Sequence, residues 1–275
     1  NLTGTLSLEG SGNATLSGAI GGTGSFTKSG SGTATLNGTN SYTGNTTITG
    51  GILRVGGTNA IGDSSRVSQT GGTIDFIGGT SETIHSFIGT GGLIDFEGIS
   101  ELTVLNDSIF RDITIGTRGT IHFKTGTTST ITNSIYLLGN NEHLNFDIQG
   151  DAVVNVSAAI NVGKGNGRIN KFGAGILRLT ANNSQYGGGN RFTNGTAEFT
   201  SIVDAGTDQS SSLGDADFQN VLQIANDSTS ATLRMIGTNA KNTSNRSVQI
   251  GDAGGSIEVA DAAQVLTLNG IISGN

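Results

Sequence analysis

"SFIGTGGLIDF" (residues 86–96) is two short apolar runs hinged on a glycine turn. In its second half Ile94 and Phe96 flank a polar Asp95. Side chains on a strand alternate between faces, so Ile94 and Phe96 point one way and Asp95 the other. The same alternation recurs in Ile74/Asp75/Phe76, Ile121/His122/Phe123 and Leu144/Asn145/Phe146. The whole unit recurs as "ITIGTRGTIHF" (113–123), "IYLLGNNEHLNF" (135–146), "INVGKGNGRINK" (160–171) and "VQIGDAGGSIEV" (248–259). Its first glycines are Gly89, Gly116, Gly139, Gly163 and Gly251, with the first four about 23 to 27 residues apart. A period of that size marks stacked repeats.

One such strand is not stable alone. Copies stacked about 4.8 Å apart bury their inward residues as ladders. Phe76, Phe96, Phe123 and Phe146 are expected to form one ladder, and Ile74, Ile94, Ile121 and Leu144 the next. The expected fold is all-β: a parallel β-helix of roughly a dozen rungs of about 23 residues. Sustained helical periodicity is absent, and the stretches most open to a helical reading, 204–220 and 260–266, are short.

Composition agrees with a narrow core. Only 33% of the 275 residues are apolar and 5% aromatic, while glycine occurs 46 times. Charged residues are only 13%, and the apolar ones are regularly spaced, which separates this chain from a disordered one. There is no proline to interrupt hydrogen-bond ladders and no cysteine for a disulfide framework. A formal charge of −7 disfavours nucleic acid as a partner. No apolar run is long enough for a membrane-spanning helix. The chain opens on Asn1 without a signal peptide, so it reads as one β-helical segment, 1–275, of a longer precursor.

A longer similarity overlies the short one. "GTGSFTKSGSGTATLNGTNSYTG" (22–44) aligns with "GNGRINKFGAGILRLTANNSQYGG" (165–188). Lys28 falls on Lys171, Gly30 on Gly173, Gly32 on Gly175, Leu36 on Leu179 and Asn40 on Asn183. Each copy continues into a glycine-bounded strand and then "AIGD" (60–63) or "SLGD" (212–215). These repeats lie near 14–62 and 156–215, and "LTLNGIISGN" (266–275) resembles the opening of a third, which begins near 263.

These residues resemble the passenger-associated strand repeat of bacterial autotransporters, the type V secretion passengers. The resemblance implies a right-handed β-helix on the cell surface or released from it. It further implies a C-terminal translocator barrel in the precursor. The repeat is shared by adhesins, toxins and proteases and does not select among them. Unfolded passage through an outer-membrane pore is consistent with the absence of cysteine.

No catalytic or metal motif stands out. There is no G-x-S-x-G, and the nearest string, "GDSSR" (62–66), reads as a polar turn. His122 and His143 are expected in one outward column with Asp75, Asp95, Asn145 and Asn170, a set that could bind a metal or act as acid and base but reads first as a solvated face. "DAD" (215–217) lacks the rest of a calcium loop. Asp107, Arg111 and Asp112 form the tightest charged group, beside Ile109 and Phe110. Lys28 and Lys171 are expected to lay their stems over the coil surface with solvated heads. Asn40 and Asn183 are expected to stack or cap turns. No cofactor is expected. The functional expectation is an adhesin contacting host protein or glycan along its polar faces, with self-association along the rod; a stalk is the alternative, an enzymatic or toxin passenger the third.

Overall fold

The computed structural model describes residues 1–77, 79–96, 99–115, 118–137, 143–162, 167–205, 210–214, 221–226, 228–237 and 242–274. Among them there is no helix, and strand pairs with strand in parallel. The chain winds into a β-solenoid of about 11 turns. Gly116, Gly139 and Gly163, the "DAD" string and most of 204–220 lie outside the described residues.

Each turn supplies strands to three stacks. One runs through Ser25–Lys28, Thr46–Ile48, Arg66–Gln69 and Ser86–Gly89. A second runs through Thr33–Leu36, Ile52–Val55, Thr73–Phe76 and Leu93–Phe96. The third is a separate nine-stranded sheet from Ser81–Ile84 to Ile272–Gly274. Ile109–Ile115 and Thr128–Leu137 bend around the corner between the first two stacks and join them in one 18-stranded sheet.

Alternation does the folding work. In Leu93–Phe96, Ile94 and Phe96 are buried while Leu93 and Asp95 are half-buried. Inward residues from all three faces meet in one core cluster running from Phe26 to Val248. Turns between neighbouring rungs are mostly 20 to 25 residues long, but Glu198 and Arg234, on adjacent rungs, are 36 residues apart.

The expected ladders are corrected by the register. Phe76 does lie on Phe96, and Ile74 on Ile94, with the two rings stacked at 5.1 Å. Phe123 and Phe146 lie on the third sheet instead, where Phe123 pairs with Ile148 and Ile121 with Phe146. Leu144 falls opposite Gly119. The Phe123 and Phe146 rings still approach to 6.3 Å. Two features caused the error. The repeated unit is a corner, and corners occur between any two faces: 86–96 turns from the first stack to the second, 113–123 from the second to the third, and 248–259 from the third to the first. The connection between paired strands is also longer at 138–142 than at 116–117, which slides the register by two residues. A two-residue slide leaves every side chain on its own face, so inside and outside survive it.

Candidate binding surface

The repeat residues build corners from within. Lys28 and Lys171 are buried, at 2% and 0% exposure, which overturns the expectation of solvated heads. Lys28 Nζ donates to the carbonyls of Gly30 and Gly50, and Lys171 Nζ to those of Gly173 at 2.7 Å and Asn194 at 2.6 Å. Each amine thus ties its own corner to the next turn. Burial lowers the Lys28 pKa and brings that of Lys171 down to about 7. Gly30 and Gly32 leave room for the turn below: a Cβ at either would strike the carbonyl oxygen of Gly10 or Gly12. Gly173 and Gly175 stand likewise against Ile148 and Ala152. Leu36 and Leu179 are core residues.

Asn40 caps in both directions. Its Oδ1 accepts from Ile20 N at 2.7 Å, and its Nδ2 donates to Ala60 O. The backbone N–H of Ala60 then donates to Glu82 Oε2 at 2.8 Å, and that of Ile61 to Oε1 at 2.9 Å. Asn183 does not share this role. It is exposed, and Ser184 accepts from Ile160 N at 3.1 Å in its place. One extra residue precedes Tyr186, so Tyr186 matches Tyr42, each tyrosine hydroxyl bonding the residue four further on.

The outward face of the third sheet carries the polar chemistry. Glu101, Thr120, Asn145, Asn170, Arg191, Gln223, Gln249 and Ser273 succeed one another in register without an apolar residue. Asn145 Nδ2 donates to Thr120 Oγ1 at 3.1 Å, and Asn170 Nδ2 to Asn145 Oδ1 at 2.8 Å. Beside the early part of this column lies a groove of about 440 Å³. There His122 Nδ1 meets Asp147 Oδ2 at 2.8 Å while Nε2 faces Glu101 Oε2 at 3.9 Å. The His122 contact holds the Asp147 carboxyl below its usual range. His122 therefore belongs with Asp147 and Glu101, not with Asp75 and Asp95, which pair with each other on another face. In strand register His143 falls opposite Arg118 on one side and Arg168 on the other. The groove presents an oriented imidazole, two carboxylates and Lys124, a set able to bind polar groups of either sign or relay a proton. A second groove, of about 200 Å³, lies further along the column, over Gly188.

Of the Asp107, Arg111, Asp112 group, the two described side chains each bond the backbone of a different neighbouring turn. Asp107 Oδ1 accepts from Thr128 N at 2.7 Å, Arg111 donates to Thr90 O at 2.5 Å, and the Asp112 side chain lies outside the described residues. Phe110 is in the core and Ile109 is 47% exposed, so only the phenylalanine plugs the interior. Among the described residues no group of three or more histidine, aspartate or glutamate side chains is placed to hold a metal ion, and no helix could cross a membrane.

Two segments, 26–55 and 169–196, match the family model of the passenger-associated-transport-repeat. The chain fits an autotransporter passenger domain. Its two family repeats begin at different faces of the solenoid, with Lys28 ending a strand of the first stack and Lys171 lying in the third sheet. The repeat is therefore a corner-forming unit of the passenger, not a mark of one face. Passengers of this class are found at the cell surface or in the secreted fraction, and solenoids bearing this repeat are typically non-catalytic. Comparison with curated proteins and with solved structures found no match for the chain.

Sequence reasoning missed Glu82 and Arg246. Glu82 is fully buried and burial raises its pKa to about 8. Arg246 is fully buried and donates to the carbonyls of Leu213 and Gly214. The signal was present in both cases: each stands two residues before an inward apolar residue, Ile84 or Val248.

Proposed function

We propose that this passenger segment is adhesive and binds host surface protein or glycan along the third sheet. The single observation that carries the reading is the unbroken outward polar column from Glu101 to Ser273, flanked by two grooves. Its residues sit on paired strands of a continuous solenoid, so a ligand orders little on binding and many weak contacts add. The passenger class supports a surface or secreted location, and a translocator barrel in the precursor would place the rod outside the cell.

The test is direct. The purified chain is applied to host cells and to immobilised matrix, and binding is compared with that of a version in which Asn145, Asn170 and Gln223 are replaced by alanine. Retained folding with lost binding supports adhesion. A chain that binds neither cells nor matrix, while its deletion from the precursor shortens the projecting structure, is a stalk.

A further inference from the structure

We infer that the groove beside Arg168 and Arg191 is a subsite for an anionic sugar, so that the ligand of the third sheet is an acidic glycan. This rests on the adhesive reading and gives it a ligand class. Three observations converge. The groove, of about 200 Å³, is lined by two half-buried arginines with Asn190, Gln223 and Gln249, and by Val221 as its one apolar side chain. It is smaller than the ~300–1,000 Å³ of a drug-sized site, so it takes one unit of a chain rather than a whole ligand. Arg191 follows Asn170 in the column and lines the groove, and its Nε has no hydrogen-bond partner among the described residues.

Chemistry selects the occupant. A guanidinium forks onto a carboxylate or sulfate with two parallel hydrogen bonds. The carboxamide of Gln223, in the groove wall, carries donors and an acceptor together, which suits neighbouring sugar hydroxyls. Protein partners are usually anchored by buried aromatic or aliphatic side chains. This column contains none from Glu101 to Ser273. Phe172, half-buried and two residues along the strand from Asn170, adds a ring on the same outward side. The Arg191 rung lies two rungs beyond that of Asp147, about 10 Å along the axis. The two arginines concentrate positive charge on a chain whose formal net charge is −7.

The experiment measures binding of the whole chain to heparin, polygalacturonate, dextran and poly-glutamate, and to host cells. Heparin or polygalacturonate is expected to bind, more weakly as salt rises, and dextran not to bind. Whichever of the two binds tells sulfate from carboxylate. The double variant Arg168→Gln, Arg191→Gln should lose at least tenfold in affinity. Arg191→Lys, which keeps the charge without the fork, should lose part of it, and Arg66→Gln, exposed on another face, should lose none. Unchanged circular dichroism accompanies these values. Poly-glutamate binding as tight as the glycans would overturn the sugar assignment, and so would undiminished glycan binding by the double variant. Host-cell binding that survives the double variant removes this subsite while the adhesive reading stands. Glycan binding through the arginines without any host-cell binding keeps the subsite and removes host adhesion.

Discussion

Lys171 Nζ donates to the backbone carbonyl of Asn194 at 2.6 Å, one turn further along the solenoid. The same amine holds Gly173 O of its own corner, so one side chain fastens two rungs. Burial holds its pKa at about 7, far below the ordinary 10.5. Between about pH 7 and 10.5 the unfolded chain therefore carries a proton that the folded chain has shed. Stability should rise with pH across that window. Lys171→Met leaves the carbonyls without their donor, at a cost on the order of 1–3 kcal/mol. The expected result is a deficit for the variant that is larger at pH 9.5 than at pH 6, read from urea midpoints. A deficit independent of pH would contradict the buried neutral amine.

Glu82 titrates with the opposite sign. It accepts from two backbone N–H groups, which favour the carboxylate, yet burial outweighs them and its pKa rises to about 8. Between about pH 4.5 and 8 the folded chain holds a proton that the unfolded one has lost, so this contribution to stability is present in acid and fades as pH rises. Glu82→Gln has no such titration. Its stability relative to the parent should improve steadily from pH 4.5 to 8, and parallel pH profiles for the two proteins would refute the assignment.

Alternation explains both what the sequence disclosed and what it hid. Parallel stacking and inward Ile94 and Phe96 were readable because period-two patterning fixes the face whatever the register. The buried charges were equally readable by position: Lys28 is two residues after Phe26, Lys171 two after Ile169, and Glu82 two before Ile84. Residue type, which usually places lysine and glutamate outside, pointed the other way. Here position prevailed because turn carbonyls and N–H groups were waiting at the corners. Stack membership was hidden for a different reason. A corner looks alike between any two faces, so Phe96 and Phe123 were indistinguishable in pattern although they line different sheets. The Arg168 and Arg191 groove depends on that assignment and was out of reach.

Gly173 sets the corner that Lys171 caps. Its φ is +73°, a left-handed conformation, and a Cβ there would collide with Ile148 O of the turn below. Gly126 has a similar φ of +81° but open space around it. Gly126→Ala should cost about 1 kcal/mol, the conformational penalty alone. Gly173→Ala should cost clearly more, because backbone must shift as well. Equal melting temperatures for the two variants would show that the close stacking of corners is unimportant.

Phe123 tests how far damage spreads along the rod. It is fully buried, pairs with Val104 and Ile148 in the rungs on either side, and meets the Phe110 ring edge-on at 6.1 Å. Phe123→Ala should cost about 3–5 kcal/mol, and Phe123→Asp more, since it also buries a charge. Asp95→Ser, at a half-buried outward position between Asp75 and Thr114, should cost far less than either. Each rung of a solenoid touches only its neighbours, so the loss should be local. Hydrogen exchange should accelerate for amides of 102–148 in Phe123→Ala while those of 26–55 keep their protection. Uniform acceleration along the chain would mean that the solenoid unfolds as one unit, and equal effects of Phe123→Asp and Asp95→Ser would mean that the inward and outward faces are reversed.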